Sequence, residues 1–229
     1  MTIHDMQNLC RDTMGYITSV IKPGMKLLEV RNLCEDYMLK NGADSFWYWD
    51  VGAFIFSGED TVLSVSGRGY ETPNTVIQEN DIVTIDLSPQ KDNVWGDYAR
   101  TLIIENGYVI TNTENIGNDE WRAGILMEKL LHKTMRAFVN TDTTFEELFY
   151  YMNDVIKEHG FINLDFLGNL GHSVVRNKNN RVYIEKGNTI KLSEVEAFTF
   201  EPHISRPNSA SGYKMENIYQ FEGGKLIEL

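Results

Sequence analysis

The sequence predicts an α+β fold built as two related halves, each opening with helices and closing with antiparallel strands. Three observations carry this reading. The stretch from Asp81 to Thr101 alternates as a β-hairpin, with Val83 and Ile85 set against polar Thr84 and Asp86. Helical patterns precede strand patterns twice along the chain. Six positions, Leu27, Val30, Cys34, Tyr37, Met38 and Gly42, each meet a counterpart 118 residues later, at Phe145, Leu148, Met152, Val155, Ile156 and Gly160. The same shift brings Asp86 within three residues of Glu201, and Asp97 within one of Glu216. Any two amphipathic helices share a period, but the shared stop glycine and the matched acids favour a duplication. The expected organisation is a single domain over 1–229, with pseudo-repeat halves of about 1–110 and 111–229.

Residues 3–21 carry Ile3, Met6, Cys10, Met14, Ile17 and Ile21 at helical spacing, and Lys22-Pro23-Gly24 ends that helix. The next helix buries Leu27, Val30, Cys34, Tyr37 and Met38 and stops at Asn41-Gly42. β-like runs follow at Phe46–Trp49, Ala53–Phe56 and Val62–Val65, then a loop at Ser66–Gly69 and an extended connection to Gln78. The hairpin comes next and turns again at Asn106-Gly107. The second half starts with a helix over Asn118–Ala137. Thr143 or Thr144 caps the following helix, with Glu146 and Glu147 in its first turn and His159-Gly160 at its end. Strands are expected around Val195–Glu201, Gly212–Phe221 and Lys225–Leu229.

The hairpin poses a chemical question. If its turn is tight and centred on Lys91-Asp92, Asp86 falls opposite Asp97. Like charges facing across a sheet are destabilising, and burying both carries a large desolvation cost unless a cation lies between them. The alternative is that one Asp is solvated at a strand end. An internal two-fold would bring the acids of both halves to one axis, giving four carboxylates.

Composition excludes several functions. The net charge of −12 argues against nucleic acid or an anionic membrane as partner. No apolar run approaches the roughly 20 residues of a membrane span, and Met1–Arg11 lacks the basic-then-apolar order of a secretory signal. Cys10 and Cys34 lie in helical patterns and read as buried reduced thiols, so a cytoplasmic setting is expected.

An opening stretch and five short ligand motifs, in order, resemble those of the pita-bread metallopeptidases, the family of methionine aminopeptidase, prolidase and aminopeptidase P. Ile21-Lys-Pro-Gly24 and the helix to Asn41-Gly42-Ala43 look like the family's opening. Asp81-Ile-Val-Thr-Ile-Asp86 and Gly96-Asp97-Tyr-Ala-Arg-Thr101 look like its two aspartate ligands. Leu170-Gly171-His172 looks like its histidine ligand, Phe198-Thr-Phe-Glu201-Pro202 its first glutamate and Gly212-Tyr-Lys-Met-Glu216-Asn217 its second. Glu222 is a rival for the last place, but Gly223-Gly224 sets it at a hairpin turn, whereas a ligand needs a rigid position. The arginine-threonine and glutamate-asparagine forms are closer to the proline-specific branch, and the resemblance implies a pita-bread catalytic domain.

The resemblance implies two divalent ions. Four carboxylates and an imidazole are mostly hard donors, so Mn²⁺ is the first expectation, with Mg²⁺, Fe²⁺, Co²⁺ or Zn²⁺ as alternatives. Asp97 and Glu216 would bridge, Asp86 would hold one ion, and His172 with Glu201 the other. Glu201 would also pass the proton of the attacking water.

Two further family histidines, which bind substrate, are replaced. Counting places Arg68 and Asn179 at their positions. An Arg can stabilise an oxyanion, and His203, two residues beyond Glu201, would face the same side and could stand in for one of them. The expected activity is removal of an N-terminal residue from short peptides, of Xaa-Pro dipeptidase or aminopeptidase kind. The alternative is a metal-binding homologue acting on a non-peptide molecule or with little peptidase activity. The expected partners are a short peptide or small-molecule substrate; a homodimer is compatible with the sequence.

Overall fold

The computed structural model describes residues 1–229 apart from Lys178. The first half runs α1 (Ile3–Val20), α2 (Leu27–Lys40), β1 (Ser45–Phe46), β2 (Ala53–Ser57), β3 (Asp81–Leu87), β4 (Pro89–Lys91), β5 (Val94–Trp95), β6 (Tyr98–Glu105) and β7 (Tyr108–Val109). The second runs α3 (Asp119–Phe138), α4 (Phe145–Glu158), β8 (Ile162–Asn163), β9 (Ser173–Val174), β10 (Ala197–Phe200), β11 (His203–Ser205), β12 (Gly212–Lys214), β13 (Asn217–Glu222) and β14 (Lys225–Glu228). The described residues contain no helix long and apolar enough to cross a membrane.

Local chemistry sets the helix ends. Thr144 caps α4 in a reciprocal box with Glu147, and Asn118 caps α3 through two backbone N–H groups. Gly42 and Gly160 follow the ends of α2 and α4 at positive φ, where a glycine relieves the strain of leaving the helix. The bounds of α2 and α4 differ by 118 at both ends, and α1 and α3 end 118 apart. Each helix pair covers its own core. Met6, Ile17 and Leu27 pack on Val83 and Ile85, while Leu131, Met135 and Phe145 pack on Phe198 and Tyr219. A third cluster around Trp47, Trp95, Val174 and Ile218 joins the halves.

The strands form two long hairpins. In the first, the turn residues are Asp92 and Asn93, both at positive φ (51° and 60°). That is the two-residue turn whose twist suits a hairpin, and both residue types tolerate it. The closing pair is therefore Lys91 with Val94, and Asp86 pairs with Ala99 rather than Asp97. Asp97 lies two positions before Ala99, on the same face as Asp86 and diagonal to it. In the second hairpin, Phe200 pairs with Asn217 and His203 with Lys214. Both ladders keep one register, so Glu201 and Glu216 oppose each other in the gap between them.

Three expected strands are different. Of the run expected over Phe46–Trp49 only Phe46 lies in a strand, at the end of β1, because the chain turns back at Trp49 and Asp50, both at positive φ. Val62–Val65 follows a 3₁₀ turn over Gly58–Val62 and runs irregularly along the mouth of a cavity. The expected strand over Gly212–Phe221 is split in two at Met215-Glu216.

Candidate metal centre

The two hairpins meet at their acids. Asp86, Asp97 and Glu216 present oxygens that all lie within 4.8 Å of one another. His172 Nε2 stands 3.6 Å from Asp97 and 3.7 Å from Glu201. The Lys214 ammonium donates to Asp86 and lies 3.4 Å from Glu201. All five residues expected as ligands are thus brought together.

Each is held by its motif. The Gln7 side-chain amide on α1 donates to the Asp97 carbonyl at 2.8 Å and accepts its N–H at 3.3 Å. Gly96 allows that approach, since a Cβ there would come 2.8 Å from Cys10 Sγ. Arg100 donates to the Glu216 carbonyl (2.8 Å) and to Asn217 Oδ1 (2.7 Å), and the Glu216 N–H donates to the Ala99 carbonyl (3.0 Å). Thr101 Oγ1 exchanges hydrogen bonds with the backbone of Lys214. The Arg-Thr of one motif therefore clamps the Lys-x-Glu-Asn of the other. On the far side, Gly171 at φ 140° lets His172 run against β10, for a Cβ would fall 2.3 Å from the Thr199 carbonyl oxygen. Hydrogen bonds from the His172 N–H to the Thr199 hydroxyl oxygen and from the Glu201 N–H to the Leu170 carbonyl complete the frame.

His172 Nδ1 faces the Ser173 carbonyl at 3.2 Å, which places the proton on Nδ1 and leaves Nε2 with its lone pair toward the acids. Burial, reinforced by the charge of Arg181, pulls its pKa down to about 3, so the imidazole is neutral. Burial pushes Asp97 and Glu216 well above the carboxylate range, and the neighbouring acids push them further. Asp86 is also raised by burial, but Lys214 pulls it back. Burial alone would lower Lys214; Asp86, Glu201 and Glu216 outweigh it and keep the ammonium charged.

Glu216 tests whether the cluster fits a metal. It is 0% exposed, and neither carboxylate oxygen has a hydrogen-bond partner. An unpaired buried carboxylate costs several kcal/mol, to order of magnitude. A divalent cation removes that cost, and a set of carboxylate oxygens with one neutral imidazole nitrogen suits a hard or borderline ion. The residues fit the group.

A cavity of about 180 Å³ opens onto the cluster. Trp47, Tyr48, Phe54 and Phe56 form one wall; Trp49, next in sequence to Tyr48, is exposed and outside it. His203 lines the cavity, and its Nε2–H donates to the Thr61 carbonyl at 2.7 Å, so its Nδ1 is the unprotonated nitrogen. Burial lowers its pKa to about 4. Arg68 is not brought to the cavity. It is exposed, with its guanidinium over Trp49 at 5.5 Å, and Leu63, Ser64 and Val65 line the mouth instead. Asn179 is exposed and outside the lining, which Arg181 and Tyr183 supply. Glu222 is exposed at the end of β13, away from the cluster. Lys214 and Arg181 were not expected at the site. Lys214 had a signal, since two residues before Glu216 on a strand is the same face; Arg181, in a loop, had none.

Buried acids and a neutral histidine, converging where two related hairpins meet beneath two helix pairs, define the pita-bread class of metal-dependent hydrolases. The chain belongs to metallopeptidase family M24, whose profile matches residues 2–222. It is 25% identical over 207 residues to a methionine aminopeptidase of Helicobacter pylori, covering 86% of this chain and 75% of that one. Its fold is similar to that of an X-Pro aminopeptidase from Thermotoga maritima (TM-score 0.81, 19% identity, 99% of this chain and 59% of that one). A prolidase from Pyrococcus furiosus is equally similar (TM-score 0.80, 21% identity, 99% and 61%). The chain spans about three fifths of the length of these solved structures.

Proposed function

We propose that this chain is a metal-dependent exopeptidase that removes the N-terminal residue of short peptides, of the Xaa-Pro dipeptidase or aminopeptidase kind. The observation that carries the reading is the Glu216 carboxylate, fully buried and without a partner at the meeting point of Asp86, Asp97 and His172. Asp86, Asp97, His172, Glu201 and Glu216 would hold two divalent cations, with Mn²⁺ the first choice by donor type. The ions would supply Lewis acidity toward a carbonyl and a water of lowered pKa.

The chain's own groups would do the rest. Glu201 borders the cavity between His172 and Lys214, where its carboxylate can take a proton from a nucleophilic water and deliver it to the leaving amine. His203 Nδ1, kept neutral and unprotonated, can accept a hydrogen bond from a substrate N–H. The aromatic wall excludes water from the reacting carbonyl. Similarity to proline-specific enzymes and the Gly-Asp-x-x-Arg-Thr form favour that branch. Buried, unpaired Cys10 and Cys34 favour a reducing, cytoplasmic setting.

The test is hydrolysis of Met-Ala-Ser, Ala-Pro and Ala-Pro-Gly by Mn²⁺-loaded protein, with metal content measured in parallel. Cleavage of the proline peptides, lost with Asp97→Ala, is expected. His203→Ala is expected to lower turnover while metal content holds; unchanged turnover removes His203 from the mechanism. One observation favours a second reading. The two substrate-binding histidines expected from the resemblance are absent, and Arg68 and Asn179 lie outside the cavity. A metal-loaded protein that cleaves none of the three peptides would indicate a non-peptide substrate.

A further inference from the structure

Behind the metal centre lies a second cavity, of about 450 Å³, that the hydrolytic reading does not use. It runs between α1 and α3 over β6, with Met14, Leu102, Ile103, Ile116 and Ile125 as apolar walls. Met215, which precedes Glu216, and Arg100, which holds the Glu216 carbonyl, also border it. Glu128 of α3 stands out in this lining. It is 2% exposed, and neither carboxylate oxygen has a hydrogen-bond partner. Burial pushes its carboxyl well above the usual range, against the pull of Lys214 and Arg100. Packing does not explain the acid. Glu128 stands 118 residues after Cys10, the shift that relates the halves, and α1 fills that place with a buried thiol. The same shift relates Arg11 to Lys129, and both line the cavity, one cation from each helix. Lys129 is exposed, and its ammonium donates to the Thr113 hydroxyl.

We propose that this cavity binds a free amino acid with an apolar side chain. Glu128 takes its ammonium, Lys129 takes its carboxylate with Arg11 adding positive charge, and the apolar walls take its side chain. An unpartnered buried carboxylate carries a large desolvation cost, which an ammonium in contact with it offsets. Charge-assisted hydrogen bonds at both ends of a zwitterion match a buried acid flanked by an exposed lysine. A bare metal ion fits less well, because Glu128 belongs to no group of three ligating side chains among the described residues. The volume lies within the range of small-molecule sites, about 300–1,000 Å³. Such an amino acid is also what an exopeptidase releases; that connection rests on the proposed function, and the site does not.

The experiment is calorimetry of L-leucine, N-acetyl-leucine and leucinamide against the full chain, both Mn²⁺-loaded and metal-free. Leucine is expected to bind both forms alike. N-acetyl-leucine lacks the ammonium and leucinamide the carboxylate, and each is expected to bind at least about tenfold more weakly. Glu128→Gln is expected to weaken leucine by at least about tenfold, and Lys129→Met to bring leucine down to the level of leucinamide. Ile125→Trp, which fills the cavity and keeps the acid, is expected to abolish binding. The ligand series on the wild type holds even if a variant fails to fold. Absence of leucine binding overturns the inference, and so does leucine binding unchanged in Glu128→Gln. Either analogue bound as tightly as leucine overturns it too. Binding that appears only with Mn²⁺ places leucine at the metal centre and has the same consequence. Because binding alone is read, failure here is distinct from failure to cleave peptides.

Discussion

The two hairpins carry the same kind of cargo in different ways. In the first, an unbroken ladder runs through Asp86, and Asp97 is displaced diagonally by the position of its turn. In the second, both ladders stop short of Glu201 and Glu216, which face each other in the gap. The first half brings two acids and the aromatic wall. The second brings two acids, His172, His203, Lys214 and Arg181. A repeated frame with unlike contents meets a physical need. Four equivalent carboxylates on an exact two-fold would repel equally and leave no direction to the site, whereas one neutral imidazole and one ammonium on a single side make it polar. The halves are also fixed by different means: Asp97 by a side chain of α1, Glu216 by Arg100 and Ala99 across the interface. We read the halves as diverged copies that depend on each other for their acids.

The strongest way to break this comparison is at Glu216, the acid of the cluster whose two carboxylate oxygens are both buried without a hydrogen-bond partner. If the proposed function holds, Glu216→Gln is expected to lower metal retention and peptide turnover by at least about a hundredfold, because a proposed ligand is then lost rather than a supporting contact. The metal-free variant is expected to be more stable than the metal-free wild type at pH 8, since a buried unpaired charge has gone. Metal analysis and thermal unfolding of both forms check the two halves of the statement; equal stability of the apo proteins would mean that Glu216 is satisfied by water.

The glycines sharpen the contrast next. Gly171 has a positive φ and would drive a Cβ to 2.3 Å from a backbone oxygen, whereas Gly96 would meet the sulfur of Cys10 at 2.8 Å. Backbone cannot yield as a side chain can. Gly171→Ala is expected to cost roughly 3 kcal/mol or more, Gly96→Ala roughly 1–2 kcal/mol, as read by urea unfolding. Arg100→Met should fall between, at roughly 2–3 kcal/mol, from the loss of hydrogen bonds across the halves. A cost near zero would show that the hairpins dock without the clamp.

Much of this was legible in the sequence where chemistry is local. Thr144 with Glu147, Asn118 and Gly160 name their helix ends, and the five acid and histidine motifs converge. Register was legible one residue too early. Asp92-Asn93 is the pair that tolerates two positive φ angles, and centring the turn there gives the observed pairing. Val62–Val65 has strand propensity but follows a 3₁₀ turn and borders a cavity, so tertiary placement overrides it. Arg68 and Asn179 were located by counting along loops, whose lengths vary freely, and counting fails there for that reason. Arg181 occupies the cavity through three aromatic rings, Trp47, Tyr48 and Tyr183, brought together only by the fold.

The smallest expected effect concerns His132 on α3, which supports the second hairpin from behind. Its Nε2 faces the Met215 carbonyl at 3.0 Å and its Nδ1 the Tyr219 hydroxyl at 2.8 Å. The carbonyl can only accept, so Nε2 carries the proton and Nδ1 accepts from the tyrosine. Burial lowers the pKa to about 3. In the unfolded chain an unperturbed histidine titrates near 6.5. Between these values the unfolded state binds one more proton, so stability contributed by the neutral ring is full above about pH 6.5 and drains as pH falls. Buried Asp97 and Glu216 work the other way in metal-free protein, because protons favour their folded form. The wild type alone therefore hides the histidine. The difference between wild type and His132→Gln isolates it. That difference should shrink by roughly 1 kcal/mol per pH unit between pH 6 and pH 4, read from urea unfolding of the metal-free proteins. Parallel stability curves would mean that the histidine opens to water before it charges, and that Met215, the residue preceding Glu216, is held by the Arg100 clamp alone.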